Sequence, residues 1–261
     1  MTRRLDVHAL AVLATAATGL SAPAVGWASS GGGGLRGSAS TTPTKNTKTL
    51  VQSAGGSISA SGNRITIASQ SSGFLRGQVR FTGAIPSADA GAVVEIERLG
   101  HQTGWKWAPT AHARAARNGS FTTIWRANHI GRFAIRAVIT SPGAPDAAAV
   151  SPTVATTVYR LSLATLFGPG LWGNGTACGE VLKRTTIGVA NRTLKCGTPV
   201  AIYYHGRIMV VPVIDRGPYA NGADWDLTMA TAAALGMDGT DTIGAVSLPP
   251  EPSWLAPQLT G

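Results

Sequence analysis

A chain of 261 residues that is 44% hydrophobic and 13% charged has material for one large or two ordinary cores, which excludes a disordered polymer. Its formal net charge of +10 points to an anionic partner: nucleic acid, a membrane surface or an acidic wall polymer.

The amino terminus chooses among these. MTRRLDVH is a basic head, Ala9 to about Leu20 is an apolar run, and small residues follow at Ala22, Ala24, Gly26 and Ala28. This is the layout of a secretory signal over residues 1–28, with cleavage after Ala24 or Ala28. No later apolar run reaches the ~18 residues that a spanning helix needs, so a secreted, wall-associated monomer with no integral membrane span is expected, and nucleic acid is not the partner. Cys178 and Cys196 agree with export, since in an oxidising compartment two cysteines most simply pair. Neither has a histidine beside it to suggest a zinc site or an activated thiol.

Residues 29–57 are rich in Gly, Ser and Thr and read as a flexible tether. From residue 58 to 160 the pattern is short runs of period two broken by turn residues, which predicts an Ig-like β-sandwich. Phe133, Ile135, Ala137 and Ile139 share one face of a strand, with Arg132, Ala134 and Arg136 on the other. Trp105 and Trp107 fall on one side of another such segment, and residues 141–153 read as a long loop. Arg160 then leads directly into a second unit, residues 161–248, in a fixed relation to the first.

In that unit Leu163 to Phe167, Thr186 to Ala190, Pro199 to Tyr204, Arg207 to Ile214 and Thr242 to Leu248 are predicted strands, with His205-Gly206 as a hairpin turn. One short helix is predicted over Leu227 to Leu235, with Asp226 or Thr228 as its N-cap and Gly236 as its C-cap. Strands of this number and length with one helix suggest a small closed barrel, so the chain is all-β throughout. Residues 249–261 form a proline-rich tail.

The stretch from Val211 to Asp226, VPVIDRGPYANGADWD, carries the densest chemistry. An apolar strand ends in Asp215 and Arg216, Gly217 and Pro218 stop it, and Tyr219, Trp225 and Asp226 follow. Asp215 reads equally as a site carboxylate and as a turn residue that accepts backbone amides.

Four segments in order, ATLFGPGLWGNGTACGE, VANRTLKCGT, VPVIDRGPY and WDLTMATAAALGM, resemble the double-psi β-barrel of the rare lipoprotein A (RlpA) family, and more distantly expansins and barwin-like proteins. The resemblance spans about Leu161 to Leu248 and implies a six-stranded barrel acting as a peptidoglycan lytic transglycosylase. Such an enzyme cleaves glycan strands without water and leaves an anhydro sugar end. The family's acidic residue falls on Glu180, expected to be the acid and then the base, and its DRGP aspartate on Asp215, expected to stabilise the charge that develops on the sugar. Arg216 is expected to keep Asp215 ionised, while Trp172, Tyr219 and Trp225 offer flat faces to sugar rings, Trp172 and Trp225 reading equally as packing residues that close the barrel ends. A position that is usually histidine in the family is Asn191 here, which can orient a hydroxyl but cannot carry a proton. That departure leaves room for a non-catalytic, expansin-like wall-binding module. Neither a phosphate-cradling glycine loop nor a metal-ligand spacing is present, so no cofactor and no metal are expected.

Overall fold

The computed structural model describes residues 52–53, 56–141, 144–220 and 222–252. The expected signal segment and nearly all of the expected tether and tail lie outside the described residues.

The strands run in chain order as β1 (Gln52–Ser53), β2 (Ser57–Gly62), β3 (Ile65–Gln70), β4 (Ser72–Phe74), β5 (Gln78–Ala84), β6 (Val93–Leu99), β7 (Ala108–Arg114) and β8 (Ser120–Arg126). They continue with β9 (Gly131–Ser141), β10 (Ala144–Val150), β11 (Val154–Phe167), β12 (Val189–Ala190), β13 (Pro199–Tyr204), β14 (Arg207–Asp215), β15 (Trp225–Thr228) and β16 (Asp241–Ser247). The single α-helix among the described residues, α1 (Met229–Leu235), sits between β15 and β16.

The first unit is a stack of two sheets. The order β2-β3-β5-β8 makes one, and β7-β6-β9-β11, with β10 and β4 attached, makes the other. Alternation does the work: in β5 Val79 and Phe81 are buried while Gln78 and Arg80 are exposed, and in β8 Phe121 and Trp125 turn in toward Phe133 and Ile135 of β9. The outer face of β9 is covered too, because Trp105 packs on Ala134 and Leu99, and Trp107 holds the Arg136 guanidinium 4.0 Å above its ring. Both tryptophans lie in the turn before β7, not on a strand as the sequence suggested. Residues 144–150, expected as loop, form β10 against β9.

The second unit is a closed barrel of six strands. The neighbours run β15-β12-β14-β13-β16-β11, and β11 returns to pair with β15. Val200, Ile202, Val211, Val213, Leu227 and Ile243 fill it, and Ala232 and Leu235 of α1 pack on the same core. The helix starts where Thr228 accepts the Thr231 amide and ends where the Gly236 amide bonds the carbonyls of Ala232 and Ala233. Thr228, rather than Asp226, is therefore the N-cap.

One strand ties the two units. Residues 154–158 of β11 pair with β9, residues 160–164 with β16, and residues 164–167 with β15. Phe74, Tyr159 and Tyr203 meet across this junction with ring centroids 5.1 to 6.2 Å apart. Gly244 lies beneath them, and a Cβ there would stand 3.0 to 3.1 Å from carbons of all three rings' residues, so only glycine fits without displacement.

Candidate active site

Four strands of the barrel place four residues in one lateral row. Thr165 of β11 is in register with Asp226 of β15, Asp226 with Ala190 of β12, and Ala190 with Asp215 of β14. Residues in lateral register share a sheet face, and at ordinary interstrand spacing the two aspartates stand about 10 Å apart at Cα with only a methyl group between them. The groove above this row has a volume of about 390 Å³ and is walled by Phe167, Leu171, Pro218 and Tyr219.

The register needs an irregularity to form. Val189 pairs with Val213 but the next residue, Ala190, pairs with Asp215, so Ile214 is an extra residue in β14. Val211 and Val213 point into the barrel core, and simple alternation would send Asp215 after them. The bulge reverses this: Ile214 is buried outside the barrel core, against Phe167, Leu182 and Ala190, and Asp215 comes up on the groove side.

The two carboxylates have different surroundings. Asp215 Oδ1 accepts the backbone amides of Ala177 and Arg216, both at 2.8 Å. Asp226 is half-buried, and among the described residues its side-chain donor is Thr165 Oγ1 at 2.9 Å. Burial raises the Asp226 pKa, the Thr165 hydroxyl opposes that rise, and the charge of Asp215 adds to it. One carboxylate is thus fixed by two backbone amides, and the other sits where burial raises its pKa.

The remaining predicted residues distribute around this row. Glu180 is exposed and does not line the groove; its turn is closed by the Thr176 amide to the Glu180 carbonyl at 2.7 Å. That turn is joined to the site through Ala177 and through the Cys178–Cys196 disulfide, whose Cα atoms are 5.6 Å apart. Arg216 departs from expectation. Its guanidinium faces the carbonyls of Asn191 and Asp215 and the Cys196 sulfur at 3.3 Å, and among the described residues it forms no ion pair with the Asp215 carboxylate. The hydrogen bonds to the Asp215 carboxylate come from backbone amides and not from the arginine side chain.

Asn191 forms an Asx turn, its Oδ1 accepting the amides of Thr193 and Leu194 and its Nδ2 donating to the Asp224 carbonyl. It lines a neighbouring hollow with Trp225, not the aspartate groove. Trp225 is only 8% exposed and belongs to the barrel core, whereas Tyr219 is 77% exposed at the groove rim. Arg192 stitches the rim, donating to the Pro218 and Ala223 carbonyls and pairing with Asp224 at 3.2 Å.

From the sequence Asp226 reads as a helix cap before a ligand, because it stands beside a helix start. Its position one residue after Trp225 and one before Leu227, both buried, was the available signal: a carboxylate between two core residues on a strand must face the other side. No group of three or more His, Cys, Asp or Glu side chains placed to hold a metal ion occurs among the described residues.

Residues 164–247 match the family described as lytic transglycolase. A "Probable endolytic peptidoglycan transglycosylase RlpA" of Synechocystis sp. is 32% identical over 134 residues, covering 49% of this chain and 41% of the relative. The "Endolytic peptidoglycan transglycosylase RlpA" of Yersinia pestis is 32% identical over 106 residues, 39% of this chain and 29% of the relative. A relative from Aquifex aeolicus with the same name as the first is 36% identical over 81 residues, 30% of this chain and 36% of its own. The chain thus spans less than half the length of each of these relatives.

Proposed function

We propose that the RlpA-like double-psi β-barrel formed by residues 164–247 is a lytic transglycosylase acting on the glycan strands of peptidoglycan, at the groove that holds Asp215 and Asp226. The observation that carries this reading is the row Thr165–Asp226–Ala190–Asp215, which sets a carboxylate whose pKa is raised by burial in one line with a carboxylate fixed by two backbone amides.

Breaking a glycosidic bond requires a proton on the leaving oxygen and negative charge near the anomeric carbon as it becomes oxocarbenium-like. Asp226 gives the proton, and the bond between the anomeric carbon and the bridging oxygen breaks. The Asp215 carboxylate, fixed by two amides, stabilises the cationic ring. The deprotonated Asp226 then takes a proton from a hydroxyl of the same sugar, whose oxygen closes onto the anomeric carbon. Acid and base are one residue, and no water is consumed.

Glu180, the acid expected from the family pattern, takes a rim role here, contacting the strand outside the bond being cut. Asn191 lies outside the groove and is not asked to move a proton. Tyr219 offers its exposed ring to a sugar face. The protein acts outside the cell, and its charge of +10 gathers it on an anionic wall, an attraction that weakens with salt.

Digestion of purified sacculi by the intact protein tests this. Soluble products should be one water lighter than hydrolysis products and lack a reducing end. Reducing-end sugars would assign a hydrolase instead, and binding without any soluble product would assign a wall-binding module.

A further inference from the structure

We infer that Trp172 and Arg184 form a subsite beside the carboxylate groove that takes a sugar unit bearing its own carboxylate. This presupposes that the groove binds glycan, and it names which unit of the strand is recognised next to the cut.

A recess of about 550 Å³ opens around Pro169, Gly170, Trp172, Arg184, Met229 and Ala233. It adjoins the groove through a single loop, since Phe167 and Leu171 wall the groove while Pro169, Gly170 and Trp172 wall the recess. A strand leaving the aspartates over this loop enters the recess.

The indole is fixed in place. It packs on Phe167, Leu182, Ala190 and Ile214, and it lies so close to Gly168 that a Cβ on that residue would stand 2.2 Å from the ring's Cη2. The same Cβ would meet Met229 Cγ at 2.9 Å, so the glycine is what lets tryptophan and helix close on each other.

Arg184 supplies the charge. Its guanidinium carbon is 5.5 Å from the Trp172 ring centroid, and the residue is exposed. None of the three ion pairs among the described residues involves it. A guanidinium steadied by an aromatic face, in a recess whose other lining residues carry no charge, matches a planar carboxylate held in two parallel hydrogen bonds. The indole meanwhile suits the apolar face of a pyranose. Peptidoglycan glycan carries, on every second sugar, a carboxyl attached through an ether side chain, which is a free carboxylate wherever the stem peptide has been removed from it, and a neutral amino-sugar polymer carries none. The subsite therefore sets the register in which the strand is cut.

The test is equilibrium binding by the full chain in an Asp226→Asn background, so that no ligand is consumed. The probes are peptide-free peptidoglycan glycan fragments, the same fragments with carboxylates converted to methylamides, and chitin oligomers of equal length. Arg184→Met should weaken binding of the carboxylated fragments about tenfold, to the level of the amidated ones, and leave the amidated and chitin probes unchanged. Trp172→Phe, which keeps the packing, should weaken all three. The assignment is overturned if Arg184→Met binds the carboxylated fragments as tightly as its parent, or if amidation has no effect on the parent. Because binding is read apart from cleavage, a protein that releases no product would remove the catalytic reading and leave this result standing.

Discussion

Thr165 acts on Asp226 through one hydrogen bond. Its hydroxyl donates to Asp226 and favours the charged form, so Thr165→Val should raise the Asp226 pKa further. If Asp226 is the proton donor, activity falls as pH rises through that pKa, and the variant should keep its activity to higher pH. Profiles of product release against pH for both proteins check this. Stability carries the same sign. The native pKa of Asp226 lies above its unfolded value, so its contribution is fully present below the unfolded pKa and is lost as pH rises through the native one. Asp226→Asn should gain stability relative to wild type over that rise, as read by denaturant midpoints at stepped pH. Little of this was legible in the sequence. Asp215 announced itself by standing at a strand end, but Asp226 next to Leu227 and Thr228 looked like a cap, and helix capping and strand alternation give opposite directions for the same side chain.

At the scale of elements, the bulge at Ile214 is what aims Asp215, and no residue in VPVID marks it. Regular elements were readable: Pro199–Tyr204 was predicted to the residue, and the turn at His205-Gly206 and the helix with its Gly236 cap stand where expected. The strand Trp225–Thr228 was not, because four residues running straight into a helix show too little alternation to separate from it. Thr186 to Ala190 shrank to two paired residues, since the segment before them is loop. The disulfide secures the Thr176–Glu180 turn, which gives Asp215 one of its two amides. Replacing both cysteines by serine should cost about 3 kcal/mol of stability by chain entropy and lower the turnover rate as well. Thermal melts and product release on one preparation measure the two effects.

For the molecule as a whole, β11 makes sandwich and barrel mechanically continuous, and the cluster of Phe74, Tyr159 and Tyr203 over Gly244 fills the corner between them. Gly244→Ala should destabilise by about 1 to 3 kcal/mol through overpacking. It should lower the unfolding midpoint of both units together, as read by Trp125 in the sandwich and Trp225 in the barrel. Retention of one unit's midpoint would show that they unfold independently. The two-unit β organisation was visible in period-two patterning, but the shared strand was not, because a strand passing from one core to another looks the same as two strands meeting at Arg160.

The central claim is that Asp226 moves the proton and Glu180 does not. The most direct measurement compares the rates at which Asp226→Asn and Glu180→Gln release anhydro-ended fragments from purified sacculi. Asp226→Asn should lose about 10² to 10⁴ in rate, while Glu180→Gln should lose less than about tenfold. A Glu180→Gln variant as inactive as that, beside an Asp226→Asn variant that still cuts, would contradict it.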